Sequence, residues 1–182
     1  MLAERIGSAQ LLELSAAGAG LTEGVRGSDL PRVAALLAAD TGGHLEVALR
    51  FRNGPEDFPV VEVAVAGLLP LVCQRCLAAV DWPVDLQVAL TAVPDEAAAG
   101  ELADPFDSVL LDRDGALPLR SMVEDEILAM MPLAPLHDAG KGCNAAAGDA
   151  AAQIVEPVPE TRVNRPFAGL GALIRDDGRD RK

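Results

Sequence analysis

Aromatic side chains are scarce in this sequence: its 182 residues include four Phe, one Trp and no Tyr. The core must therefore be aliphatic, and there are few rings on which a single-stranded nucleic acid could stack its bases. Basic residues are also few, with 15 Lys and Arg against 28 Asp and Glu. The net charge of −13 disfavours simple electrostatic binding to a polyanion, so DNA is not expected as a partner.

The sequence also lacks the common catalytic motifs. It has no G-x-S-x-G elbow, P-loop, dinucleotide fingerprint or H-E-x-x-H pair. The acidic run Glu124-Asp125-Glu126 could be taken for acid–base machinery, but successive helix positions face different directions and cannot converge on one substrate. These observations predict a protein that is not an enzyme.

Long hydrophobic runs are absent near the N-terminus, where charged residues interrupt the first 14 positions. Signal peptides and membrane spans need an uninterrupted apolar segment. We therefore expect a cytoplasmic protein without membrane contact, in which the three cysteines stay reduced. Reduced cysteines more often bind a metal or remain free thiols than form a disulfide framework.

The length of the chain favours one domain, since domains commonly contain about 100–200 residues. Residues 1–43 are expected to form an N-terminal region with one short helix, which starts after Ser28 and ends near Gly42. Residues 44–137 are expected to form the core. Residues 138–182, rich in Ala, Gly and Pro, are expected to be a flexible segment with a short helix at 166–174 and a basic tail.

Alternating hydrophobic and polar residues predict strands within the core region, at 45–51, 60–72 and 80–90. Because these segments follow one another without intervening helices, we expect an α+β fold, with an antiparallel β meander or partly closed barrel and a few packed helices. Pro83 cannot donate a hydrogen bond to a sheet, so it should lie at an edge or bulge.

The strongest helix signal lies near the end of the core. Ser121 and Glu124 match the S-x-x-E capping box. Glu124, Asp125 and Glu126 would also complement the positive end of the helix dipole. Hydrophobic residues then recur at helical spacing until Pro132 ends the pattern.

A chemically suggestive pattern is Cys73-Gln74-Arg75-Cys76, a C-x-x-C turn between two predicted strands. Such a turn can present two thiolates to a tetrahedral zinc ion. His137 and Cys143, with five residues between them, could supply the remaining ligands. Two alternatives stay open: a dithiol redox pair, although redox motifs of this type usually start a helix, or two unligated structural cysteines. His44 has no partner motif and is expected at the surface.

Several motifs follow one another in a fixed order along the chain. Val72–Leu77 contains the C-x-x-C turn, and Ser121–Asp138 contains V-E-D-E-I-L followed by P-x-x-P-x-H. Cys143 comes next, and Asn164–Leu170 then reads as an Asn-Pro-Phe-Ala-x-Leu segment with Arg165 inserted. From about residue 45 to 173, this order resembles the bacterial YceD family, the large ribosomal RNA subunit accumulation proteins. Besides the cysteines and His137, the resemblance covers Arg75, Glu124, Asp125, Glu126, Pro166 and Phe167.

The resemblance implies a non-enzymatic role in ribosome biogenesis, in the accumulation or processing of 23S ribosomal RNA in the cytoplasm. The partner would be the 23S RNA or a ribosomal or processing protein. Residues 162–182 carry a charge of +3 and residues 1–161 carry −16. We therefore expect the acidic body to bind a protein. The tail is the segment suited to touch RNA, although a solvated terminus is the simpler interpretation.

Overall fold

The protein is described from a computed structural model, which defines residues 2–38, 42–54, 57–102, 107–138 and Cys143. By internal contacts the chain divides into two units, Met1–Cys143 and Asn144–Lys182, and every described residue belongs to the first. The helix expected at 166–174, the basic tail and the family residues Pro166 and Phe167 lie outside the described residues.

A five-stranded sheet forms the centre of the fold. Its strands, in chain order and in spatial order, are β1 (Gly20–Arg26), β2 (His44–Asn53), β3 (Pro59–Val72), β4 (Ala79–Val93) and β5 (Ser108–Leu110). The first four strands are antiparallel, whereas β5 runs parallel to β4. The α+β prediction is confirmed, and β1–β4 form the meander. Among the described residues the sheet is open, so the alternative of a partly closed barrel is wrong.

The described part of the chain also contains short helices. They are α1 (Ser8–Ala17), a 3-10 turn (Gly27–Asp29), α2 (Pro31–Ala34), α3 (Glu96–Glu101) and α4 (Leu119–Met130). Helix α1 packs on β2 and β3, and α4 packs on β4. None of these helices is long and apolar enough to cross a membrane.

The core lies on the face of the sheet that the helices cover. On β2, the inward side chains Leu45, Val47, Leu49 and Phe51 are at most 3% exposed, while the alternate positions face outward. This period of two follows from the pleat of a strand, which points successive side chains to opposite faces. The buried side chains are largely aliphatic, as the composition required.

The N-terminal region is more structured than the sequence indicated. It contributes α1, α2 and the edge strand β1 rather than one short helix, and Leu11, Val25 and Leu30 are buried in the core. The predicted helix does begin at Pro31, but it ends after one turn at Ala34. Strand β1 gave a weak signal because it contains two glycines and has one buried position, Val25.

Pro83 lies where the sheet has an open edge. It is opposite Leu68 on β3, and β5 pairs only with Thr91–Val93 at the far end of β4. Within the described residues, the other side of β4 at Pro83 is therefore unpaired. The missing N–H of proline costs no ladder hydrogen bond there, and the edge prediction is confirmed.

Helix α4 begins two residues before the predicted capping box. Pro118 is the N-cap, no side chain caps the helix, and Ser121 is its third residue, so the capping prediction is wrong. Glu124 is instead 3% exposed, and its carboxylate accepts a 2.7 Å hydrogen bond from the backbone N–H of Arg32. This residue of α4 thus satisfies one of the unpaired donors at the start of α2.

The two neighbouring acids have different surroundings. Asp125 is exposed and forms an ion pair with the Arg32 guanidinium. Burial raises the pKa of Glu126 above its usual range, and the nearby Asp125 and Asp107 carboxylates raise it further. The three acids therefore do not act together. Glu124 joins two helices, Asp125 forms an ion pair at the surface, and Glu126 is partly desolvated.

We expect Glu124→Ala to lower the free energy of unfolding by about 2–3 kcal/mol, because it removes a hydrogen bond to a charged group and leaves a backbone N–H without its acceptor. Asp125→Ala is the matched control and should cost about 0–1 kcal/mol, since exposed ion pairs contribute little. Urea denaturation measures both values. Equal losses for the two variants would contradict the assignment.

Candidate metal centre

A tight turn of six residues joins β3 to β4 and carries two of the cysteines. The N–H of Cys73 donates to the carbonyl of Ala78, and the N–H of Leu77 donates to the carbonyl of Cys73, each at 2.9 Å. Leu77 has φ +60°, the left-handed conformation that lets the chain reverse here. Cys73 is fully buried and Cys76 is half-buried.

The segment after α4 lies directly against this turn. The N–H of Gln74 donates to the carbonyl of Pro135 at 2.9 Å, and Arg75 Nη2 donates to the carbonyl of His137 at 3.1 Å. Pro132 and Pro135 cannot continue the helix, and Met131 already has extended backbone angles. The chain therefore leaves α4 as an extended segment whose carbonyls meet donors on the turn.

These contacts bring four metal-ligating side chains together. The ligand atoms of Cys73, Cys76, His137 and Cys143 all lie within 4.8 Å of one another. Cys73 Sγ is 3.7 Å from Cys143 Sγ, and His137 Nδ1 is 3.5 Å from both Cys76 Sγ and Cys143 Sγ. The cluster has the residue types and the spacing to hold a metal ion.

The protonation of His137 is set by its second nitrogen. Nε2 lies 2.9 Å from the carbonyl oxygen of Ala79, and because a carbonyl can only accept, Nε2 carries the proton. In the neutral ring, the lone pair is then on Nδ1, which faces the two sulfurs. A histidine that donates its outer N–H to a backbone carbonyl in this way is the usual arrangement at protein metal sites.

The turn also stabilises the thiolate form of Cys73. Burial opposes the charged sulfur, but hydrogen bonds from the backbone N–H groups of Cys76 and Arg75 and from His137 outweigh it. Together they lower the pKa of Cys73 to about 5. For Cys143, burial raises the pKa, and its contacts with Cys76 and Cys73 raise it further. One thiol is thus prepared for ligation, while another must lose its proton when a cation binds.

The structure gathers the four residues that the sequence singled out as ligands, and Arg75 supports them through the His137 carbonyl. Glu124 and Asp125 contact Arg32 of α2 rather than this cluster. His44 is exposed at the start of β2, as expected. The backbone partners at Ala79, Gln74 and Pro135 were missed. A main-chain acceptor or donor leaves no signal in the sequence.

We expect the Cys73 thiolate to persist in metal-free protein until the pH falls to about 5. The pKa of Cys73 in the folded chain lies below its ordinary value of 9.0. The thiolate therefore makes its full contribution to the stability of the fold when the pH is above 9.0. Its contribution declines as the pH falls towards 5. Ultraviolet absorbance of the thiolate, titrated in wild type and Cys73→Ser, measures the transition. The low-pH step of the wild-type curve should be absent in Cys73→Ser and present in Cys143→Ser. A low-pH step that remains in Cys73→Ser would contradict the assignment.

The chain is similar to proteins of one described family. The family model for "Large ribosomal RNA subunit accumulation protein YceD" matches residues 61–174. A relative of the same description from Haemophilus influenzae (strain ATCC 51907 / DSM 11121 / KW20 / Rd) is 26% identical over 130 residues, covering 70% of this chain and 72% of the relative. No solved structure matches significantly. Because the family model spans more than half of its residues, the chain belongs to the YceD family.

Proposed function

We propose that this protein is a non-enzymatic factor in ribosome biogenesis, which supports the accumulation or processing of 23S ribosomal RNA in the cytoplasm. The observation that carries the proposal is the family match over residues 61–174, since the family is described by its role in accumulation of the large ribosomal subunit RNA. The match includes the C-x-x-C turn, the whole of α4 and His137.

The charge of the body favours a protein as the direct partner. Residues 1–143 contain nine Lys and Arg against 22 Asp and Glu, so their field repels the phosphates of RNA. A ribosomal or processing protein, which is basic where it binds RNA, complements such a surface. The segment suited to direct contact with 23S RNA is the arginine-containing tail at 162–182, whose charge is +3.

We also propose that Cys73, Cys76, His137 and Cys143 bind one Zn²⁺. Zinc bonds of about 2.3 Å to sulfur and 2.0–2.1 Å to nitrogen place tetrahedral ligands about 3.8 Å (S···S) and 3.6 Å (S···N) apart. The observed separations of 3.7 Å and 3.5 Å agree with these values. Three thiolates and one imidazole are a donor set that zinc prefers.

Such a site would be structural. Four protein ligands fill the tetrahedral coordination of zinc and leave no position for water or substrate, whereas catalytic zinc sites keep one open. Cys73 and Cys76 hold the β3–β4 turn, while His137 and Cys143 come from the chain after α4. The ion would therefore cross-link two segments that are far apart in sequence. A dithiol redox role is less well supported, because the turn leads into β4 rather than starting a helix.

Protein purified under reducing conditions should contain about one zinc per chain. Cys143→Ser and His137→Ala should each lose most of the metal and unfold at a lower temperature, since zinc binding energy contributes to folding. His44→Ala is the matched control, because it alters the other histidine of the chain. Elemental analysis measures the content. Zinc-free wild type, or equal zinc in His137→Ala and His44→Ala, would overturn the proposal.

Cells without this gene should accumulate less mature 23S RNA relative to 16S RNA, and the wild-type chain should restore the ratio. Because the role is in assembly, we expect precursor RNA and incomplete large subunits rather than a loss of transcription. RNA blots and sucrose-gradient profiles measure these quantities. A normal 23S-to-16S ratio and normal subunit profile in the deleted cells would contradict the proposed function.

A further inference from the structure

A surface groove of about 620 Å³ runs beside the candidate metal centre. One wall is the start of β4, with Trp82 and Pro83, and the other is the extended segment after α4, with Pro135, Leu136 and His137. Because His137 is also a proposed metal ligand, the groove and the metal centre share a wall. Asp81 and Asp138 line the same groove, and both are exposed.

Both walls come from stretches of sequence that contain acids and no bases. Residues 76–112 include eight Asp and Glu without a single Lys or Arg, and residues 121–140 include four acids without one. Of these acids, Asp81 and Asp138 are the two that line the groove. The nearest preceding cation, Arg75, donates to the His137 carbonyl.

The groove also presents apolar surface beside these acids. Trp82, the only tryptophan of the chain, is half-buried and packs against the hydrophobic core, and Leu136 is 50% exposed. An aromatic face attracts a guanidinium or ammonium group, and the hydrocarbon stems of Arg and Lys cover apolar surface while their charges reach carboxylates. The lining is therefore complementary to Arg and Lys side chains and repels phosphate.

The shape limits how the occupant is folded. The β4 wall spans four residues, Val80–Pro83, which is about 13 Å at the rise of a strand. It lies at the part of β4 whose outer edge is unpaired within the described residues. An extended chain can lie along such an unpaired strand edge.

We propose that this groove binds an extended segment of another protein that is rich in Arg and Lys. The inference rests on the proposed function, in which the direct partner is a basic ribosomal or processing protein. Asp81 and Asp138 contact the cationic side chains, and Trp82 stacks against one guanidinium. RNA is excluded by the charge of both walls, and a second copy of the acidic body is excluded for the same reason.

The test uses the full chain and a labelled peptide of about ten residues that alternates arginine with glycine. Fluorescence anisotropy measures binding, and the emission of Trp82 reports occupancy of the groove because the chain has no other Trp and no Tyr. We expect saturable binding that weakens with salt and shifts or quenches the emission. The same peptide with glutamate in place of arginine should not bind.

Two double variants separate the groove from general charge. Asp81→Asn with Asp138→Asn should weaken peptide binding about five- to tenfold, as expected for the loss of two ion pairs at a partly desolvated surface. Glu13→Gln with Glu96→Gln removes the same charge from exposed positions on α1 and α3 and should stay within about twofold of wild type. Zinc content and thermal unfolding establish that both variants keep the fold and the metal centre.

Equal weakening of peptide binding in the two double variants, or an unchanged Trp82 emission at saturating peptide, would contradict peptide binding in the groove. So would a change of the Trp82 emission on adding poly-uridylate to the chain without peptide at physiological salt, or a change of that emission on self-association of the chain. The proposed function has a separate readout. If the wild-type chain restores the 23S RNA ratio but does not bind the peptide, only the proposed groove is contradicted. Wild-type chain that binds the peptide but leaves that ratio unchanged would overturn the ribosomal role.

Discussion

The arrangement of the Cys73, Cys76, His137 and Cys143 cluster depends on one hydrogen bond, the 2.9 Å contact from His137 Nε2 to the Ala79 carbonyl. That bond assigns the proton of the imidazole and leaves Nδ1 as the atom that faces Cys76 and Cys143. It also attaches the segment after α4 to the first residue of β4. Without it, the ring could rotate or change tautomer, and the shared wall between the metal centre and the groove would lose its fixed position.

The sequence singled out the four residues of this cluster because metal binding restricts residue type, and the structure brings them together. Few side chains can ligate zinc, so a C-x-x-C turn followed by His137 and Cys143 is informative even without knowledge of the fold. The long strands β2, β3 and β4 were also predictable, since each buries one face and alternates accordingly. In β2, the alternation matches the buried positions from Leu45 to Phe51.

Other features depend on tertiary contacts and could not be deduced. The S-x-x-E spacing is local, so it predicted that Glu124 caps its own helix. The Glu124 carboxylate instead accepts a hydrogen bond from the backbone N–H of Arg32 on another helix. Helix α1 is short, has a weakly amphipathic sequence and no side-chain cap, so it gains its stability from packing on β2 and β3. Short helices rarely hold together by propensity alone.

A zinc ion in the proposed site would keep the local charge negative. A zinc ion bound to three thiolates and a neutral imidazole carries a net charge of about −1, since the ligands must be deprotonated. Metal binding would therefore leave the adjoining groove acidic rather than neutralise it. Asp81 and Asp138 of the groove and the zinc-bound cluster would then present the same sign of charge to a partner.

The hydrogen bond between Glu124 and Arg32 also has a consequence for the order of events during synthesis. Its two residues are 92 positions apart in the chain, and ribosomes add about 5–20 residues per second. The first turn of α2 must therefore wait about 5–20 s for its acceptor to be made. The N-terminal part of this fold therefore lacks one hydrogen bond until α4 has been synthesised, because α4 supplies the Glu124 carboxylate.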